Sequence, residues 1–130
     1  MSNWTHVAGV IRVDSFRDLV SESLDFDELI GRECLFSSPV ELWDECYAHP
    51  ERFLPMGSEG TLRKTVWDNP NKNHVAAYTV TIFGDLRDHD DPKKIIDWFK
   101  EKCSHLCVRN ALITAENELN GTLTWVYEDD

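Results

Sequence analysis

The sequence predicts an α+β fold, a single antiparallel sheet with helices layered on one of its faces. Three observations carry that prediction. Val75 to Phe83 is an unbroken β-favouring run, followed by a polar turn and by a helix that Asp91-Pro92 opens. Trp4 to Val13 is a second such run, apolar on both faces in its middle, as a central strand should be. Asn120-Gly121 separates two further apolar runs and marks a tight hairpin, because both residues tolerate positive φ.

Taken in order, the first strand puts Thr5, Val7, Gly9, Ile11 and Val13 on one face and Trp4, His6, Ala8, Val10 and Arg12 on the other. Ser15 reads as a helix N-cap with Asp18 three residues on. Phe16, Leu19, Val20 and Ser23 keep helical spacing, Leu24, Phe26, Leu29 and Ile30 extend it, and Gly31 is a stop. Residues 32–60 read as a partly helical insertion that packs back on the domain. Within it, Ser38-Pro39-Val40-Glu41 combines a cap, a Pro at the first helical position and an acid in the first turn. Leu42, Trp43, Cys46 and Tyr47 supply the apolar side of that helix, and His49-Pro50 ends it, leaving Phe53, Leu54 and Met56 in a loop.

Thr61 to Trp67 is the next strand, and the polar stretch Asn69 to Asn73 turns it into the Val75 strand as a hairpin. Gly84 is expected to break that strand, with Asp85 to Asp91 as a turn. A helix then runs from Pro92 to about His105, its apolar side made by Ile95, Ile96, Trp98 and Phe99. Val108 to Ala115 and Thr122 to Glu128 are the last two strands, joined at Asn120-Gly121. The order β-α-insertion-β-β-α-β-β is that of a ferredoxin-like split βαββαβ sandwich with an extra C-terminal edge strand, as one domain over residues 1–130. In that arrangement the first and third strands are central, and here they are the most continuously apolar.

Composition narrows the function. The 130 residues carry 24 acids against 13 bases, a net charge of −11, which disfavours binding to phosphate backbones and favours attraction to basic surfaces. An apolar fraction of 42% with five tryptophans argues for a packed core. The N-terminus has no basic-then-apolar leader, no stretch approaches the ~20 apolar residues of a membrane helix, and four cysteines are too few for a disulfide scaffold. A soluble, cytoplasmic protein with reduced thiols is expected.

Candidate binding residues lie on the sheet. Counting back from an Asn120-Gly121 turn puts Trp125 opposite Glu116 and Tyr127 opposite Thr114, so that Leu112, Leu123, Trp125 and Tyr127 share a face. The pattern leaves open which face that is, since Ala111, Ile113 and Ala115 are equally acceptable toward the helices; on the same face as Trp4, His6 and Arg12 they would form an aromatic platform for a ligand or partner, with Asp85, Asp88 and Asp90 of the acidic turn as further candidates. Two alternatives stand beside it: the insertion, with Trp43, Tyr47 and Phe53, covers those aromatics as core, or a homodimer forms through the same face.

Catalytic and metal constellations are thin. Cys103 and Cys107 lie one helical turn apart and could join Cys46 and His49 as a zinc set, but no paired C-x-x-C supports it. The acids of Asp85 to Asp91 lack the alternation of a calcium loop, and Asp91 is accounted for as a cap. Asp14 at the end of the first strand is similar to an Asp carried there by small CRISPR-associated nucleases of this topology, an activity at odds with the negative charge. No nucleophile elbow and no glycine-rich phosphate loop is present. The residues therefore point to no resident metal, no cofactor and no catalytic group.

The runs Trp4-Thr5-His6-Val7-Ala8-Gly9-Val10-Ile11-Arg12-Val13-Asp14 and Phe83-Gly84-Asp85-Leu86-Arg87-Asp88 resemble small uncharacterised proteins encoded by phages and prophages. The resemblance covers about a quarter of the chain and implies a protein that binds a host or phage protein. The expectation is thus a non-enzymatic acidic binding protein whose partner, for example a nucleic-acid-handling or defence protein, offers a basic patch. A small-ligand or nucleotide binder using the aromatic face and a metal-dependent hydrolase are the alternatives.

Overall fold

The computed structural model describes residues 2–14, 24–68, 78–89 and 91–128. These form an α+β fold with one five-stranded antiparallel sheet and three α-helices. The strands are β1 (Trp4–Val13), β2 (Arg63–Asp68), β3 (Tyr78–Arg87), β4 (Val108–Asn117) and β5 (Gly121–Val126), in the spatial order β2-β3-β1-β4-β5. The helices are α1 (Phe26–Leu29), α2 (Val40–Ala48) and α3 (Pro92–Cys103). None of the described helices is long and apolar enough to cross a membrane.

β1 is the axis of the sheet. It pairs with β3 over its whole length, from Trp4 opposite Arg87 to Val13 opposite Tyr78, and with β4 from Thr5 opposite Asn117 to Val13 opposite Val108. Thr5, Val7, Ile11 and Val13 are buried, together with Val80, Ile82 and Leu86 of β3 and Ala111, Ile113 and Ala115 of β4. α3 closes this face. Its Asp91 side chain accepts from the Lys93 amide at 3.0 Å, Pro92 sets the first turn, and Ile95, Ile96, Phe99 and Cys103 are buried at helical spacing.

Leu54 and Leu62, fully buried in the main cluster, tie the insertion to the sheet. The rest of the insertion builds a small cluster of its own from Cys34, Cys46 and Phe53, with Leu42, Trp43 and Met56 packed against it. It docks beside Trp98 of α3, on the helical layer. Ser38 does not cap α2. Its hydroxyl accepts from the Leu35 amide at 2.9 Å, and Pro39 takes the N-cap position without a side-chain bond. The expected Ser15 cap, the helical spacing of Phe16 to Ser23, the turn at Asn69 to Asn73 and the start of the Val75 strand lie outside the described residues. Of the first expected helix, the described part holds only the single turn α1, capped by Asp25.

Two expectations about the sheet are also corrected. Gly84 does not end β3: it pairs with Val7, and the strand runs on to Arg87 because β1 extends far enough to hold it. Gly84 sits at φ +155°, and a Cβ there would stand 2.9 Å from the Thr61 carbonyl oxygen and 3.1 Å from the Leu62 Cα. Glycine is required because the segment that delivers Leu62 to the core passes directly over it. The second correction is the hairpin. Asn117 pairs with Gly121, and Glu118, Leu119 and Asn120 form the loop. The buried Asn117 side chain accepts from the Leu119 and Asn120 amides at 3.0 and 2.8 Å, and Gly121 takes the positive φ of +90°.

That loop shifts the register by an odd number of residues, so every β5 side chain changes face. Trp125 pairs with Ile113 and turns to the helices, while Val126 pairs with Leu112 on the other side. Trp125 packs edge-on against Phe99 with ring centroids 5.8 Å apart, and Val126 is 57% exposed. Trp125→Ala should therefore destabilise the protein by about 3 kcal/mol and Val126→Ser by no more than about 0.5 kcal/mol in urea denaturation. Equal costs, or the reverse order, would place β5 in the other register.

Candidate functional site

The helices and the insertion lie on one face of the sheet, and the other face is open. β-strand alternation fills it with Trp4, His6, Ala8, Val10 and Arg12 from β1 and their neighbours in register. Row by row across β3, β1 and β4 these are Asp85, His6 and Glu116; then Phe83, Ala8 and Thr114; then Thr81, Val10 and Leu112; then Thr79, Arg12 and Asn110. Val126 extends the third row onto β5, and Trp67 extends the fourth onto β2. Phe83, Leu112, Val126 and Trp67 are each 41–57% exposed, so the middle of the face is apolar and accessible.

The end carrying His6 is acidic. His6 Nδ1 lies 2.6 Å from Asp85 Oδ1, and Nε2 lies 3.3 Å from Glu118 Oε2. Glu118 is held in place by the Trp4 amide, which donates to its Oε1 at 3.0 Å. These hydrogen bonds, Asp85 first and then Glu118, raise the His6 pKa above its ordinary value of 6.5. Ala8 is small between Phe83 and Thr114, which leaves a shallow concavity of about 380 Å³ walled by His6, Asp85 and Glu116. An apolar floor with carboxylates on one wall suits the stem and head of a lysine or arginine side chain. At the other end Arg12 donates to Asn110 Oδ1 at 2.9 Å.

The residues singled out in the sequence divide. Trp4, His6, Arg12 and Asp85 share the open face. Trp125 and Tyr127 do not: they sit 6.2 Å apart in edge-to-face contact on the helical side, as ordinary core partners of α3. Phe99 of α3 packs on Trp125, and Tyr127 packs against Trp125 and the main cluster. Asp88 is at the turn after β3 with φ +57°, where it accepts from Ser58 Oγ at 2.8 Å and fastens the insertion. Asp90 lies outside the described residues.

Cys46, His49, Cys103 and Cys107, weighed above as zinc ligands, do not converge. Cys46 faces Met56 Sδ at 3.4 Å in the insertion, and Cys103 belongs to the main core, where burial pushes its thiol up to about 12. Among the described residues no three or more His, Cys, Asp or Glu side chains converge as metal ligands. Asp14 stands 3.5 Å from Arg109, and its amide bonds the Cys107 carbonyl at 2.9 Å, a strand-end role.

The sequence reading missed Phe83, Val126 and Glu118. Phe83 was hidden by treating Gly84 as the end of a strand, and Val126 by the hairpin register. The signal for Val126 was Asn117, a turn-forming residue four positions before a glycine.

His6 sets a pH dependence. A group whose folded pKa is raised stabilises fully below its unfolded pKa, and that contribution is lost as pH rises through the folded value. NMR titration should give His6 a pKa above 6.5 that returns toward 6.5 in Asp85→Asn. The stability difference between parent and Asp85→Asn should shrink as pH rises past the folded value. A His6 pKa unmoved by Asp85→Asn would contradict the pairing. Comparison with known protein families, characterised proteins and solved structures finds no match to this chain.

Proposed function

We propose that the chain is a non-enzymatic acidic recognition protein, with a ferredoxin-like sheet whose open face engages a basic surface on a protein partner. The observation that supports this most directly is that open face. Phe83, Ala8, Val10, Leu112 and Val126 form an apolar centre, and Asp85, Glu116 and Glu118 form an acidic margin at one end. Apolar area supplies the affinity of such a contact, and a charged margin supplies orientation and encounter rate. The net charge of −11 selects a basic protein surface over nucleic acid. The likeness of two β-strand runs to phage-encoded proteins makes a nucleic-acid-handling or defence protein a suitable partner, with the cytoplasm as the place of encounter.

The test uses the immobilised chain, with partners identified by mass spectrometry and binding then measured on the purified partner. The association rate should fall as salt rises, because the attraction between the surfaces is screened within about 10 Å at 0.1 M salt. Phe83→Ser with Leu112→Ser should raise the dissociation rate, and Asp85→Asn with Glu116→Gln should lower the association rate. Each pair should weaken binding about ten-fold or more while the thermal melt is retained. A partner held equally well by both variants, or at all salt concentrations alike, would remove this reading. A homodimer that Leu112→Ser dissociates would replace it.

A further inference from the structure

The insertion gathers three sulfur atoms in one place. Cys34, on the segment before α2, and Cys46, near the end of α2, are both buried in the small cluster with Phe53, and Met56 packs against it. The Cys46 thiol donates to Met56 Sδ at 3.4 Å. Cys34 is hydrogen-bonded to Cys46 and to Ser38. Ser38 Oγ accepts from the Leu35 amide at 2.9 Å, so its own proton is free to donate to Cys34. Each group has one proton to give, and the bonds run one way, from Ser38 through Cys34 and Cys46 to Met56.

The surroundings accommodate a sulfur anion as well as a thiol. Burial pushes both thiols above their ordinary range, but at Cys34 the bonds from Cys46 and Ser38 and the charge of Arg32 oppose it. The Arg32 guanidinium is fixed there, over the Phe53 ring at 5.7 Å and against Glu45 at 3.0 Å. Cys103 has no such support, and its thiol is raised by burial alone. The cluster is also within reach of solutes. Met56 lines two clefts, one of about 640 Å³ shared with Cys34 and one of about 310 Å³ shared with Cys46. An ion entering either cleft meets two of the three sulfur residues at its wall.

The donor set selects the ion. Two thiols and a thioether are soft ligands, with no carboxylate or imidazole among them. His49, three residues after Cys46, is turned to Glu51 at 3.4 Å. Structural zinc takes four nitrogen or sulfur ligands, and calcium and magnesium take oxygen. Thiolate and thioether together favour copper(I), which tolerates low coordination. We propose that Cys34, Cys46 and Met56 form a binding site for a soft monovalent metal ion, copper(I). On binding, both thiols release their protons to solvent, two thiolate–copper bonds and one thioether–copper bond form, and the copper stays copper(I). The complex carries one negative charge, which Arg32 offsets.

The test uses the full chain, reduced and free of metal. It is titrated with copper(I) buffered by bathocuproine disulfonate and, in parallel, with silver(I) as a redox-inert counterpart. One ion per chain should bind in competition with the chelator, with two protons released per ion. The chain has two methionines, Met1 and Met56. With ¹³C-methyl-labelled methionine, the Met56 signal should move on adding silver(I) and stop at one equivalent, while the Met1 signal stays. Met56→Leu conserves volume and apolar character, so the fold should persist while affinity falls about ten-fold or more. Cys34→Ser and Cys46→Ser should each cost more than that, and Cys107→Ser, outside the cluster, should cost nothing. Failure to compete with the chelator, a Met56 methyl unmoved by bound ion, or loss of binding in Cys107→Ser would overturn the proposal. So would a Cys34–Cys46 disulfide forming under mild oxidation in a chain that binds neither ion when reduced. Should the cysteine variants melt early, the Met56 methyl of the parent chain still decides.

Discussion

Everything in this protein depends on β1 being hydrogen-bonded on both sides. A strand flanked by β3 and β4 over nearly its full length cannot slip by one residue without moving Thr5, Val7, Ile11 and Val13 out of the core. The same constraint fixes what remains outside. Trp4, His6, Ala8, Val10 and Arg12 are on the open face because their neighbours along the chain are needed inside. The open face is thus the complement of the core, set by the two-residue period of the backbone.

A second constraint comes from close approach. Leu54 and Leu62 anchor the insertion in the main core, and the backbone between them crosses β3 at Gly84. Removing the Cβ at one position lets the strand stay continuous while another segment passes over it. As a result β3 reaches Arg87, the Asp85 carboxylate lies on the sheet face beside His6, and the Ser58–Asp88 bond ties loop to strand. Of the acids in that stretch of sequence, Asp85 becomes part of the charged end of the open face.

Charge and apolar exposure recur together at two places. The sheet face has Phe83 and Leu112 beside Asp85 and Glu116, and α2 exposes both apolar residues, Val40 and Tyr47, and acids, Glu41 and Asp44. Arg63 stands opposite Phe83 in the sheet and also lines a cleft with Trp43, Tyr47 and Met56, so sheet and insertion meet along the β2 edge.

The sequence by itself determined the α+β class, the strand order along the chain, α3 with its Asp91-Pro92 start, and the membership of Trp4, His6, Ala8, Val10 and Arg12 on one face of β1. Each follows from a local rule: period two for strands, period 3.6 for helices, and capping chemistry at helix starts. Where Trp125 and Tyr127 face was decided only by tertiary structure. Asn120-Gly121 is a good local turn, but the Asn117 side chain, buried against Thr5 at 3.0 Å, is satisfied only when it caps the longer loop itself. Gly84 likewise reads as a breaker in isolation and becomes a strand residue only because β1 and the crossing segment surround it. Local propensity fixes what an element is; burial and pairing with distant strands fix its register, its ends and the face it turns to water.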